Sequence, residues 1–135
     1  MKKILFIELA LTALLAAACA SGSSSGAVAA TLESAPADYA GKTNPLGADA
    51  AAAGAAVFKA NCASCHGESG HGDGPAGQAL DPKPVNLAEL QKTAGDDFLF
   101  WRVSTGVPGT SMVGWKGVLT EEQLWQVVAY IRTLK

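Results

Sequence analysis

Five consecutive residues, Cys62-Ala63-Ser64-Cys65-His66, narrow what this chain can fold into more than any other feature. Two cysteines three apart on a helical turn present their sulfurs on one face, and the residue that follows offers an imidazole beside them. A C-x-x-C-H run is the sequence mark of covalent c-type haem attachment, in which the thiols add to the two vinyl groups of one porphyrin and the histidine ligates the iron. Two other chemistries draw on the same residue types. A thioredoxin-like dithiol wants a βαβ context, which is not visible around the motif. A structural zinc site could draft Cys62, Cys65, His66 and His71, although the adjacent Cys65 and His66 are poorly disposed for neighbouring tetrahedral positions. The favoured reading is one covalent haem c, with Cys62 and Cys65 as thioethers and His66 as an axial ligand.

At 135 residues the chain allows one domain. Such a domain has a marginal core, and a buried macrocycle with two thioether bonds would supplement it as disulfides or metals do elsewhere. The formal net charge is −2, and about −3 once Lys2, Lys3 and Glu8 are set aside with a leader. With no basic patch or Lys/Arg run, nucleic acid is not expected as a partner. The chain has three cysteines. Cys19 is left outside the motif, and an odd cysteine in an exported protein calls for a role.

Lys2-Lys3 and the apolar stretch Ile4 through Ala18 read as an export signal over residues 1–18, despite Glu8 inside it. The run is shorter than the ~20 residues of a spanning helix. Cys19 follows Leu14-Leu15-Ala16-Ala17-Ala18 and precedes a Ser/Gly-rich stretch. This resembles the lipobox of bacterial lipoproteins, with Ala16 where that family prefers leucine, and implies a lipid on Cys19. Cleavage near Ala27-Val28-Ala29 and an uncleaved anchor are the alternatives. All three place the domain outside the cytoplasm. Residues 19–48, rich in Ala, Ser, Gly and Pro, read as a flexible tether of roughly 30 Å root-mean-square span, leaving 49–135 as the folded domain.

Within that domain Asp49 is a candidate cap for an alanine-rich helix to Asn61, with Gly54 and Phe58 on one face. Gly54 weakens a helix interior and so points to close approach of another backbone. A glycine-rich loop follows from Gly67, with His71 read as a solvated loop histidine. Pro82 and Pro84 continue it, and a carbonyl of this segment is expected to accept from the outer nitrogen of His66. Asn86-Leu87-Ala88-Glu89 opens a short helix to about Lys92. Asp96 or Asp97 caps another through Phe98-Leu99-Phe100-Trp101-Arg102-Val103, ending near Gly106. Thr120-Glu121-Glu122-Gln123 is a capping box with a Leu119–Leu124 staple. Leu124, Val127, Val128, Ile131 and Leu134 then recur at helical spacing. No β alternation persists, so the fold class is all-α.

With Met1 lost in the leader, Met112 is the remaining methionine. Its loop, Gly106-Val107-Pro108-Gly109-Thr110-Ser111-Met112, can bring a thioether to the sixth iron position. From about Asp49 to Leu134 the chain resembles a class I monohaem cytochrome c. The resemblance rests on the Gly54/Phe58 helix leading into CASCH, the Gly-Asp-Gly-Pro loop, the Pro-rich segment and the Gly-Thr-Ser-Met loop before Trp115. The Leu-Thr-Glu-Glu-Gln helix ending Tyr130-Ile131-Arg132 completes it. Val113 departs from the pattern, since many relatives have proline there.

The resemblance implies N- and C-terminal helices crossing at Gly54 and Phe58 against Val127 and Tyr130, with two shorter helices and loops around the haem. Phe98, Trp101, Trp115 and Leu87 are candidates to cover the ring, and the Trp115 indole could meet a propionate. The expected function is single-electron transfer with redox-protein partners through a small apolar haem edge, not enzymatic turnover. A peroxidase-like enzyme, or a gas sensor with displaceable Met112, is the alternative.

Overall fold

The computed structural model describes residues 32–47 and 49–135, and the export signal and Cys19 lie outside them. Five α-helices follow in order: α1 (Ala50–Asn61), α2 (Ala63–His66), α3 (Leu87–Leu90), α4 (Asp96–Thr105) and α5 (Glu121–Ile131), with a 3-10 turn at Gly77–Ala79. The only β pairings among the described residues are two isolated bridges, Gly106 with Val113 and Lys116 with Leu119. The fold is all-α. No described helix is long and apolar enough to cross a membrane.

The core is the crossing of α1 and α5. Alanine carries α1 by propensity, and its buried face consists of Gly54 and Phe58. A Cβ on Gly54 would run into the Gln126 carbonyl and come within 3.0 Å of Tyr130 Cβ. The missing side chain is therefore what lets the two backbones touch. One turn on, the Phe58 and Tyr130 rings pack 5.0 Å apart at 51°. Phe58, Val127 and Val128 are the largest fully buried side chains. Trp125 of α5 stacks on Phe100 of α4 at 3.9 Å and 12°, tying α4 to the crossing. At the start of α5 the Thr120 hydroxyl accepts from Gln123 N and the Gln123 side chain accepts from Thr120 N, a reciprocal capping box.

The sequence places residues 32–47 in a flexible tether, and here the structure differs. This segment forms a strap bound to α4 and α5. Gly41 N donates to Asp97 Oδ2 (2.9 Å) and Asn44 N to Asp96 Oδ2 (3.0 Å). Asn44 Nδ2 donates to the Trp125 carbonyl at 2.9 Å, and Tyr39 lies 6.1 Å from the Phe100 ring. Glu33 pairs with Arg102, whose guanidinium stacks 3.7 Å over Trp101. The physical reason is that ordering here comes from backbone N–H groups meeting two carboxylates, plus one buried-side amide and one ring, which composition does not register.

The caps of α1 and α4 also differ from expectation. Asp49 makes no side-chain cap bond, and the cap position of α4 is Gly95. Asp96 and Asp97 sit in the first turn, where an acidic group still favours the helix dipole, and their outer oxygens serve the strap. Arg132 clamps the other side of the same turn: Nε donates to Asp96 Oδ1 at 2.8 Å, Nη2 to Ala94 O at 2.8 Å, and Nη1 to Gln91 O.

Candidate functional site

Cys62 ends α1, and α2 restarts the helix one residue later, so Cys65 and His66 lie on the next turn. The junction stays helical in its bonding: Cys62 N donates to Phe58 O (2.8 Å) and His66 N to Cys62 O (2.9 Å). The glycine-rich loop then folds back over the motif. Gly72 N donates to His66 O, Gly74 N to Cys65 O and Ala76 N to Ser64 O, at 2.8, 3.2 and 2.9 Å. Three carbonyls of the motif are thus held by one loop. A Cβ on Gly74 would meet the carbonyl oxygens of Ser64 and Ala63 at 2.5 and 2.6 Å. Only a glycine lets this backbone lie so close to the motif.

His66 Nδ1 approaches the Val85 carbonyl at 3.4 Å. A carbonyl can only accept, so this contact puts the proton on Nδ1 and leaves Nε2 with a free lone pair. Burial lowers the pKa of His66, and the Val85 contact opposes this more weakly, so the imidazole is held neutral. Cys62 and Cys65 form no disulfide and are partly buried. Burial first, and the neighbouring Cys65 second, push the Cys62 thiol up to about 12. Two unpaired thiols and a pre-oriented neutral imidazole on successive turns are the donor set that covalent haem requires. Among the described residues no three His, Cys, Asp or Glu side chains gather as a metal site, so the zinc reading has no donor cluster here. His71 is exposed, with Nε2 3.0 Å from the Lys135 carbonyl.

Met112 and Trp115 lie on a separate segment, the connection from α4 to α5. The Gly106–Val113 bridge closes a short loop, and Val107 N donates to Met112 O at 3.0 Å. Inside it Met112 N donates to Thr110 Oγ1 (3.1 Å), while the Thr110 hydroxyl donates to Val107 O (2.9 Å). Gly106 takes φ +74°, and a Cβ there would strike this returning strand, 2.7 Å from Gly114 N. Thr110 and Gly106 thus fix the Met112 backbone, a role that their four-residue spacing in the sequence does not announce. Trp115 packs partly buried against the core, its backbone N–H donating to Val103 O at 3.0 Å.

Residues 49–131 match the family model described as cytochrome c oxidase, cbb3-type, subunit III. Among solved structures, the Kuenenia stuttgartiensis reducing HAO-like protein complex contains a chain 26% identical, with a TM-score of 0.56 over 64% of this chain and 45% of that one. This chain therefore spans under half of that relative. The c-type cytochrome KustC0563 is 25% identical, with a TM-score of 0.51 over 61% of this chain and 96% of its own. No curated protein matches the chain.

Proposed function

The chain belongs to the family of cbb3-type cytochrome c oxidase subunit III, a cytochrome c domain that binds haem c covalently, and on that premise we propose that it is a one-electron carrier. Cys62 and Cys65 would form the thioethers, and His66 and Met112 would be the axial ligands. The observation that carries this reading is the His66 Nδ1 contact with Val85 O, beside two unpaired thiols. It aims Nε2 away from the loop as a neutral ligand.

When bound, haem c supplies the Fe(III)/Fe(II) couple, and the chain's part is geometry, dielectric and access. His66 holds its tautomer through Val85. The bridged loop presents Met112, whose backbone is pinned by Thr110, and a His/Met pair raises the potential relative to most other ligand sets. Trp115, beside that loop, would cover the ring edge.

Val85 and Val113, neighbours of these two ligand supports, are 54% and 64% exposed. They supply the apolar surface for a transient redox-protein interface below ~1,200 Å². The chain acts outside the cytoplasm, held at the membrane by a lipid on Cys19, and its donors and acceptors are redox proteins of an electron-transport chain. Catalytic haem chemistry would need an open iron position, which Met112 as a ligand would close.

The test is an optical spectrum of the haem-loaded protein in both redox states, with Met112→Ala alongside. A sulfur-to-iron band in the ferric wild type that vanishes in the variant supports the carrier reading. Absence of the band, with ready carbon monoxide binding to the reduced wild type, would transfer the assignment to an enzyme or gas sensor.

A further inference from the structure

The Val85 carbonyl that faces the His66 imidazole belongs to the irregular segment before α3, and the Val85 side chain is exposed, so it does not anchor that carbonyl. What holds the segment is the glycine-rich loop. Leu87 N donates to Gly70 O at 2.6 Å. The Pro84 ring lies against Gly77, where a Cβ would come within 2.8 Å of Pro84 Cγ. Between these two contacts Gly72 abuts the Pro84–Val85 peptide. A Cβ on Gly72 would run into the Pro84 carbonyl oxygen and lie 3.3 Å from the Val85 oxygen. The same residue donates its N–H to His66 O at 2.8 Å. Gly72 therefore touches the carbonyl of the histidine and the carbonyl that its ring faces.

The His66 Nδ1 to Val85 O distance is 3.4 Å. That is near the outer limit of a hydrogen bond, so a few tenths of an ångström decide whether it is made. A side chain at position 72 would displace either the Pro84–Val85 peptide or Gly72 itself, whose amide holds His66 O. The obstacle is backbone, and no rotamer relieves it. Gly72 also sits at φ +78°, where L side chains are strained.

We infer that Gly72 is a positioning residue for His66. Its bare Cα sets the spacing between the imidazole and the Val85 carbonyl, and through that spacing the basicity of the opposite ring nitrogen. The inference rests on the proposed ligation of iron by His66 and deepens it. An outer partner on a ligating histidine fixes the ring and makes it a stronger donor. A stronger donor favours Fe(III), so Gly72 holds the potential below that of an unsupported His66.

The experiment compares Gly72→Ala with Gly70→Ala in the haem-loaded full-length protein. Gly70 lies in the same loop with nearly the same strain, φ +71°, but a Cβ there meets the Leu134 side chain first. Gly72→Ala should shift the oxidised-to-reduced equilibrium about tenfold, a rise of about 59 mV in midpoint potential. Protection of the His66 Nδ1–H in the reduced protein should fall about tenfold. Gly70→Ala should leave both at wild-type values. Wild-type values in Gly72→Ala, or equal shifts in the two variants, would overturn the assignment. Should Gly72→Ala fail to take up haem, the wild type decides. One opening exposes both the Gly72 amide and the His66 Nδ1–H, so their protection should agree within about threefold. A ring proton about tenfold less protected refutes the coupling. His66 ring resonances undisplaced by the unpaired electron in the ferric wild type would instead refute the ligation itself, and the role of Gly72 with it.

Discussion

Substituting Gly54 by alanine sets two well-measured effects against each other, and the structure says which wins. At an exposed helix interior the change stabilises by about 1 kcal/mol. At Gly54 the new Cβ would lie 2.5 Å from the Gln126 carbonyl carbon and 3.0 Å from Tyr130 Cβ, with the Gln126 oxygen closer still. Carbon atoms rest at about 3.5–4.0 Å, so α1 and α5 must separate by about 1 Å. No rotamer change can relieve the contact, because the main obstacle is helix backbone. Separation also loosens Phe58 from Tyr130 and Val127 around the crossing. Overpacking of this kind costs about 3 kcal/mol, and after the propensity gain the net loss is about 2 kcal/mol. For a domain of this size that lowers the melting temperature by about 8–15 °C. Guanidinium denaturation of the haem-loaded protein measures it, with Ala52→Gly on the exposed face of α1 as control, expected to lose about 1 kcal/mol from propensity alone. If Gly54→Ala instead proves more stable than the wild type, the two backbones do not touch there, and the account of the crossing is wrong.

Three further outcomes follow from contacts around the strap. Asn44→Ala removes the bonds to Trp125 O and from Leu46 N; it should cost about 1–2 kcal/mol and speed limited proteolysis within residues 32–47, and unchanged protection would count against a docked strap. The Asp97 carboxyl is held below its ordinary value chiefly by the Gly41 N–H and then by the Phe98 N–H. A depressed carboxylate contributes stability that is present above 3.8 and is lost as pH falls through its lower folded value. The protection of the Gly41 amide, its exchange rate relative to an unstructured amide at the same pH, should therefore stay high at neutral pH and fall in acid, and Asp97→Asn should remove that acid-induced change. Arg132→Lys cannot reproduce a fork that reaches Asp96, Gln91 and Ala94 together; a loss of about 2–3 kcal/mol in the unfolding free energy measured by denaturant titration is expected.

The parts legible in the sequence were those whose signal is local. Thr120 and Gln123 announce α5 because both halves of a capping box lie within one turn, and Gly54 and Phe58 declare a crossing because a weak helix former beside a large ring needs a reason. The CASCH run carries its chemistry in five positions. What escaped is long-range and made by backbone. Val85 could be placed only as one of several carbonyls around the prolines, since which one faces His66 depends on the path of the loop. The strap has no hydrophobic period, and its anchors, Asp96 and Asp97, looked like helix caps until their acceptor oxygens were seen turned toward Asn44 and Gly41. Ser104 reads as an ordinary helix residue, and only its burial without a partner distinguishes it.

The docked strap also resets how far the domain can travel. A carrier held at Cys19 with everything to residue 48 free would have a leash with a contour of about 100 Å. If the lipid proposed for Cys19 is present, residues 20–31 would be all that separates the anchor from the docked strap, and twelve residues span at most about 42 Å. A domain so anchored would patrol a thin shell above the bilayer and would not roam the compartment. Under that proposal its redox partners would have to present their own centres close to the membrane plane, and their lateral spacing, not diffusion through the bulk, would set the rate of exchange.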